Sequence, residues 1–331
     1  MSHAAGHTHG EGETRVLILE PDSHHEMRVY ADALKRDFPH LIIDEAHSID
    51  AAMQAAPSDI IVAKGIYITQ DLVDRSPGLA WVHSLISGED HIRGLHFPTK
   101  PVITATRGVH STQVSELSIL LMLALARDLP GFLRAQETDT WTHRTQPTLA
   151  GKTALIVGLG RIGEELARLL TAFGMTVDGV SNGRSDLDTI RTVYPRDQLK
   201  KAVAGADFVI ALIPLSPETV KIFNSEIFAA MKPSAYFVNV ARGGVADEEA
   251  LIAALEAGQI AGAGIDAFSV EPLPAGHPLW RAPNTILTPH VGGRSDRYAE
   301  NACPLLIEAA RAFFEGRHND MPFRVEIQRA G

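Results

Sequence analysis

The sequence has 331 residues, enough for two domains, and its 45% hydrophobic and 21% charged content is typical of globular proteins. Its formal net charge of −10 argues against nucleic acid and anionic membrane surfaces as partners. The single cysteine excludes an intrachain disulfide, and the longest apolar run, residues 119–126, is too short to cross a membrane, so we expect a cytoplasmic protein.

The chain begins with a polar segment that is rich in histidine and glycine. His3, His7 and His9 are compatible with a flexible tail or with a metal-binding tract. We expect the tail and no metal site, because a metal site needs a scaffold that holds its ligands. Apolar runs typical of buried strands follow at 15–20, 41–43, 59–63, 81–86 and 102–104, with helix-like stretches at 24–36 and 49–56. This alternation predicts a parallel sheet with helices on both faces.

A long helix is predicted over residues 112–127, which contain neither glycine nor proline. Leu129-Pro130-Gly131 is expected to end it with a reversal of the chain. The apolar residues of this helix are too continuous for a solvated surface, so we expect it to be buried between layers or domains.

A second series of strands and helices begins at residue 152. Strands are predicted at 154–157, 176–180, 208–213, 236–240, 260–265 and 285–287. Asp247 is a natural N-cap for a helix over 248–257, and Gly258 stands where a C-terminal glycine is favoured. A last helix is predicted over 296–315. The chain is therefore expected to form two doubly wound α/β domains.

The segment Gly158-Leu159-Gly160-Arg161-Ile162-Gly163 fits the pattern G-x-G-x-x-G, and it follows a predicted buried strand and opens a predicted helix. Gly158 permits a tight turn, Gly160 lets the backbone approach a pyrophosphate, and Gly163 lets helix and strand pack closely. The N–H groups at the helix start would face the phosphates. The pattern therefore predicts a dinucleotide-binding loop.

The end of the next strand bears on which dinucleotide is bound. An acidic residue there usually holds the ribose 2′-hydroxyl of NAD, but this position is Ser181, and Arg184 follows closely. Serine would not repel a 2′-phosphate and arginine would bind it, so we expect NADP to be favoured over NAD. Asp178 would indicate NAD if the register of the strand were shifted by three residues.

Polar side chains follow the last three predicted strands of this series. Arg242 follows the first of them, Asp266 and Glu271 follow the second, and His290 follows the third. In a parallel sheet these strand ends face one crevice. Arginine there could hold a carboxylate, although a surface arginine in a loop is an equal alternative. Histidine could exchange a proton near neutral pH, and a glutamate would orient it.

At this point the sequence resembles the D-isomer-specific 2-hydroxyacid dehydrogenase family, and in particular its glyoxylate/hydroxypyruvate reductases. The matching stretches run almost continuously over residues 149–293 and include GKTALIVGLGRIGEELA, LIPLSPETVKIFN, MKPSAYFVNVARGGVADEEAL, GAGIDAFSVEPLP and PNTILTPHVGG. The resemblance implies that Arg242 binds substrate, that Glu271 pairs with the histidine, and that His290 is the acid–base. It further implies a set of cofactor contacts from Arg161, Ile162, Pro214, Val240, Ala241 and, toward the nicotinamide amide, Asp266.

The first series of elements matches the family more loosely. Ser87 and Gly88 resemble the start of its substrate loop, whose backbone N–H groups meet the carboxylate, and Glu89 departs from the usual pattern. Glu89 could disfavour very acidic substrates or simply point to solvent. The resemblance implies a flavodoxin-like substrate domain of 1–106 with 295–331, a Rossmann cofactor domain of 107–294, a cleft between them, and a homodimer.

The predicted function is hydride transfer between NAD(P)H and a small 2-oxoacid, giving the D-2-hydroxyacid. A 3-phosphoglycerate dehydrogenase is the alternative within the enzyme class. A dinucleotide-sensing protein without activity is the alternative outside it, because the family includes corepressors that keep this fold.

Overall fold

The computed structural model describes residues 13–88, 90–184 and 187–326. The chain divides into two compact units, one made of Met1–Val109 with Ser295–Gly331 and the other of His110–Arg294. Each unit contains one sheet of parallel strands. The predicted fold class of two parallel α/β sheets is confirmed. The histidines at positions 3, 7 and 9 and Glu89, for which the sequence left two interpretations open, lie outside the described residues.

The first unit contains a five-stranded sheet in the order β2-β1-β3-β4-β5, which is the flavodoxin-like order. Its strands are β1 (Arg15–Leu19), β2 (Ile42–Ala46), β3 (Ile60–Ala63), β4 (Trp81–Ser84) and β5 (Val102–Ala105). Its first helices are α1 (His24–Asp37), α2 (Ile49–Gln54), α3 (Gln70–Asp74) and α4 (Asp90–Arg93). Strands β3 and β4 are buried along their whole length, as expected for strands covered on both faces.

The second unit contains a seven-stranded sheet in the order β12-β11-β10-β9-β6-β7-β8. Its strands are β6 (Thr153–Val157), β7 (Thr176–Val180), β8 (Thr192–Tyr194), β9 (Phe208–Ala211), β10 (Tyr236–Asn239), β11 (Gly262–Ile265) and β12 (Thr285–Leu287). Its helices are α5 (Ser111–Ala126), α6 (Leu129–Glu137), α7 (Arg161–Ala172), α8 (Leu199–Gly205), α9 (Ser225–Ala230) and α10 (Glu248–Glu256). The strand order reverses between β6 and β9, and ligands of open α/β sheets bind at such a point.

The final helix, α11 (Tyr298–Phe314), returns to the first unit. Its apolar face packs in one core with α1, where Tyr30, Leu34, Leu306 and Phe313 are all buried. The first unit is therefore built from two separate pieces of the chain.

Two local predictions need correction. Leu129-Pro130-Gly131 does not form a simple reversal, because proline is well suited to the first turn of a helix and here it opens α6 behind the Asp128 cap. The burial predicted for α5 is incomplete, since Leu120 on this helix is 55% exposed. Strand β8 was not predicted, because three residues between polar segments carry no readable periodicity.

Among the described residues, no helix is both long enough and apolar enough to cross a bilayer. The cytoplasmic location expected from the sequence stays a prediction.

Candidate active site

The glycine-rich loop joins β6 to α7 in the second unit. Gly158 has φ +113°, and a Cβ there would lie 2.7 Å from the Leu212 carbonyl carbon, so only glycine fits. A Cβ at Gly163 would collide with the Gly158 carbonyl oxygen, which explains the close approach of the helix. A Cβ at Gly160 would meet nothing within 4 Å. The space beside Gly160 is therefore open, and the helix begins directly after it with Arg161-Ile162. This arrangement leaves room for a pyrophosphate at the N–H groups of the helix start.

Ser181 directly follows β7, as the sequence predicted. Its Oγ accepts hydrogen bonds from the backbone N–H groups of Gly183 (3.2 Å) and Arg184 (3.0 Å), so the serine shapes the turn that carries Arg184. Asp178 lies within the strand and is 5% exposed, and the Arg191 Nε donates to its Oδ1 at 3.0 Å. The alternative register that would have offered Asp178 to a ribose is therefore not adopted.

The turn after β10 is held by a buried asparagine. The Asn239 side chain accepts from Ala241 N at 3.1 Å and donates to the Arg242 carbonyl at 3.0 Å. The Arg242 guanidinium in turn donates to the Ala241 carbonyl at 2.8 Å. A Cβ at Gly243 would overlap the Phe268 backbone, so this glycine lets the turn pack against the segment after β11. The turn that carries Arg242 is therefore fixed by the Asn239 side chain and by packing against the segment after β11.

Asp266 follows β11 and is 2% exposed. Its Oδ1 accepts from Thr288 Oγ1 (2.6 Å) and Val291 N (2.9 Å), and its Oδ2 accepts from Gly292 N (2.9 Å). These three hydrogen bonds hold the loop after β12, on which His290 lies. The contact with the nicotinamide amide that the resemblance implies stays a prediction.

His290 and Glu271 are brought together at this edge of the sheet. His290 Nδ1 lies 2.7 Å from Glu271 Oε2, and Glu271 Oε1 accepts from Phe268 N at 2.9 Å. The Glu271-Pro272 peptide bond is cis. His290 has φ +51°, a left-handed conformation that non-glycine residues seldom adopt and that is often found at functional sites.

The strand order explains why these groups share one edge. Strands β10, β11 and β12 are consecutive neighbours, and Asn239, Ile265 and Leu287 lie in register across them. The segments that carry Arg242, Asp266 and His290 therefore begin at the same edge of the sheet, directly after these three aligned residues. The site thus combines a cation that can hold a carboxylate with an imidazole that can exchange a proton.

The remaining residues predicted to bind cofactor or substrate lie on other segments. Pro214 follows β9 and is exposed, with its carbonyl accepting from Thr219 Oγ1, and Val240 and Ala241 belong to the turn after β10. Ser87 and Gly88 belong to the first unit, in the segment after β4. There the Tyr298 hydroxyl donates to the Leu85 carbonyl and Ser84 Oγ to the Ile86 carbonyl.

Sequence reasoning missed three residues that shape this site. Asn239 and Thr288 were read only as parts of strand ends, and His110 was not singled out. His110 Nδ1 lies 3.3 Å from the Gly293 carbonyl oxygen, and burial together with the Arg242 charge lowers the pKa of its imidazole. A polar residue at a buried strand end is the signal that could have identified Asn239.

In the ranges that the structure describes, no cluster of three or more potential ligands could hold a metal ion.

Two curated relatives are similar over most of this chain. Glyoxylate reductase of Thermofilum pendens is 34% identical over 72% of this chain and 74% of its own length. D-3-phosphoglycerate dehydrogenase of Methanocaldococcus jannaschii is 30% identical over 91% of this chain, which spans only 58% of that relative.

Two solved structures share the fold over almost the whole chain. A D-isomer specific 2-hydroxyacid dehydrogenase family protein from Aeromonas salmonicida aligns with a TM-score of 0.86 and 29% identity, covering 96% of this chain and 100% of that one. A D-isomer specific 2-hydroxyacid dehydrogenase from Xanthobacter autotrophicus, solved with NADPH and MES, aligns with a TM-score of 0.81 and 29% identity, covering 96% and 99%.

The family model described as the NAD binding domain of D-isomer specific 2-hydroxyacid dehydrogenases matches residues 119–292. This range contains the glycine-rich loop, Arg242, Asp266, Glu271 and His290. Together with the relatives, the match shows that the chain belongs to the D-isomer-specific 2-hydroxyacid dehydrogenase family.

Proposed function

We propose that this protein catalyses reversible hydride transfer between NAD(P)H and a small 2-oxoacid, giving the D-2-hydroxyacid. The observation that carries the proposal is the 2.7 Å contact between His290 Nδ1 and Glu271 Oε2 at the strand edge where Arg242 also leaves the sheet. The names of the relatives, which include glyoxylate reductase, support a short 2-oxoacid.

The proton chemistry follows from that contact. An ionised carboxylate can only accept, so Nδ1 carries the proton that is shared with Glu271. Nε2 is then the ring nitrogen that exchanges a proton with the substrate oxygen. The bound nicotinamide would supply or take the hydride at the substrate carbon. Glu271, itself held by Phe268 N, keeps the imidazole oriented.

Arg242 is proposed to hold the substrate carboxylate and to polarise the carbonyl group. Its planar guanidinium can donate two parallel hydrogen bonds to a carboxylate. Ser87 and Gly88 are proposed to donate backbone N–H bonds to the same carboxylate. In this proposal the unit of Met1–Val109 with Ser295–Gly331 binds substrate, and the unit His110–Arg294 binds the cofactor.

NADP is proposed as the favoured cofactor. Ser181 occupies the position of the usual ribose-binding acid, and Asp178 is engaged by Arg191. Arg184 lies three residues beyond Ser181 and can pair with a 2′-phosphate. The NADPH that is bound to the structural relative from Xanthobacter autotrophicus supports the same choice. Wild-type kinetics with each dinucleotide measure this preference.

A homodimer is proposed from the exposed apolar side chains of the second unit. Leu120, Leu129 and Leu133 are 55%, 44% and 51% exposed, and Trp141 is 93% exposed. Large exposed apolar side chains are typical of surfaces that another chain covers. Light scattering on the wild type and on Leu133→Asp with Trp141→Ser would report the change from dimer to monomer.

The function is tested by following NADPH consumption with a panel of 2-oxoacids. We expect turnover of short, unphosphorylated 2-oxoacids such as glyoxylate and hydroxypyruvate. A preference for a phosphorylated 2-oxoacid would favour the alternative function, that of a 3-phosphoglycerate dehydrogenase. One of the relatives carries that name. Dinucleotide binding without turnover of any 2-oxoacid would contradict the proposal and favour a sensor.

A further inference from the structure

An ion pair lies across the segment that is proposed to bind the adenosine ribose. Glu164 is in the first turn of α7, directly after the last glycine of the cofactor loop. Its Oε2 lies 2.9 Å from Arg184 Nη1, and the two side chains are 49% and 36% exposed. Both are therefore accessible to a ligand. The pair joins the phosphate-binding helix to the turn after β7.

The pair lines a polar pocket of about 610 Å³ in the second unit. Arg161, the first residue of α7, lies on the same pocket, as do Ser111 and Thr112 at the start of α5. A dinucleotide that places its pyrophosphate on the start of α7 would extend its ribose toward the turn after β7. Glu164 and Arg184 are then the opposite charges that this ribose meets.

The residues that normally discriminate the ribose do not supply a carboxylate here. Ser181 stands at the end of β7, and its Oγ already accepts two backbone N–H groups. Asp178 is buried and bonded to Arg191. Glu164, on the neighbouring helix, is a carboxylate that reaches the same turn through Arg184.

We propose that Glu164 is a specificity-determining residue for the dinucleotide, one that lowers affinity for the 2′-phosphate and accepts a hydrogen bond from the 2′-hydroxyl. A 2′-phosphate must share the Arg184 guanidinium with this carboxylate or displace it, and both cost binding free energy because two anions then approach each other. A ribose hydroxyl carries no charge and can donate to the carboxylate. The proposal rests on the dinucleotide-binding function proposed above, and it makes Glu164 the residue that limits the preference for NADP.

The test is the ratio of the dissociation constants of NAD⁺ and NADP⁺, measured by calorimetry without substrate. In Glu164→Gln we expect this ratio to rise about five-fold toward NADP⁺, the size expected for one accessible charge interaction. Glu256→Gln is the control, because it removes the same charge from an exposed position of the same unit that does not line this pocket. Its ratio should stay at the wild-type value. In the Arg184→Gln background, Glu164→Gln should shift the ratio less than it does in the wild type.

An unchanged or reversed ratio in Glu164→Gln, with the wild-type melting temperature retained, overturns the proposal. An equal shift in Glu256→Gln also overturns it, since the effect would then be general electrostatics. A wild type that favours NAD⁺ contradicts the cofactor preference proposed above but leaves the shift measurable. A wild type that binds neither dinucleotide overturns both.

Discussion

His290 and Glu271 are nineteen positions apart in the chain, yet His290 Nδ1 lies 2.7 Å from Glu271 Oε2. The glutamate is held at its other oxygen by Phe268 N, and the histidine loop is held by Asp266. The glutamate is therefore fixed by its own loop, and the loop that carries the histidine is fixed by the neighbouring segment after β11. Such an arrangement keeps one ring nitrogen occupied and leaves the other for the substrate.

Removing either member of this pair should lower kcat. In His290→Gln we expect a loss of about 10²- to 10⁴-fold, because no group then exchanges the proton. In Glu271→Gln we expect a loss of about 10- to 100-fold, because a hydrogen bond to a neutral amide is weaker than one to a carboxylate and orients the ring less firmly. The double variant should be little worse than His290→Gln. Steady-state kinetics measure kcat, and calorimetry should show unchanged dinucleotide affinity. Activity close to wild type in His290→Gln would contradict the acid–base assignment.

Arg242→Ala should impair both substrate binding and turnover. The guanidinium is expected to contact the substrate before and during the reaction, so KM should rise and kcat should fall. Arg242→Lys keeps the charge but cannot form two parallel hydrogen bonds, so we expect only partial rescue. Kinetics at saturating NADPH separate the two parameters. An unchanged KM in Arg242→Ala would refute the role as carboxylate anchor.

Asp266→Asn should loosen the loop that carries His290. An amide can accept at only one of the two positions where Asp266 now accepts, so the N–H groups of Val291 and Gly292 cannot both keep their partner. We expect a stability loss of about 1–3 kcal/mol and a lower kcat. Thermal unfolding and kinetics measure both. Asp197→Asn, at an exposed position of the same unit, is the control and should behave as wild type. Equal effects in the two variants would contradict this role.

Acid should destabilise the first unit through His83. This side chain is 2% exposed between Thr104 and Thr106, and burial lowers the pKa of its imidazole to about 3. The unfolded chain binds a proton below pH 6.5 while the folded one does not, so stability falls as the pH drops from about 6.5 toward 3. The contribution has a slope of about 1.4 kcal/mol per pH unit.

Chemical unfolding at several pH values measures this slope. His83→Gln should show a shallower acid dependence than wild type, whatever its stability at neutral pH. His96→Gln, which replaces an exposed imidazole of the same unit, is the control and should keep the wild-type slope. A wild-type slope in His83→Gln would show that His83 is not the group responsible.

Much of the fold could be predicted from local patterns. The buried strands β1 and β6 are short apolar runs, and the loop from Gly158 to Gly163 follows from glycine spacing. Local patterns failed where a residue has two uses: Pro130 can stop a helix or start one, and it starts α6. Strand β8 is formed by its pairing with β7, which no pattern within three residues expresses.

The sequence by itself determined that Arg242, Asp266 and His290 leave one edge of one sheet, because parallel strands joined by helices all end on the same side. It also determined the resemblance from which the role of Glu271 was inferred. Only the tertiary structure decided that Glu271 meets His290, that Asp266 holds the histidine loop, and that Glu164 reaches Arg184. Each of these contacts joins segments at least nineteen residues apart. Such distances are set by strand register and loop path, and neither is expressed in the residues that make the contact.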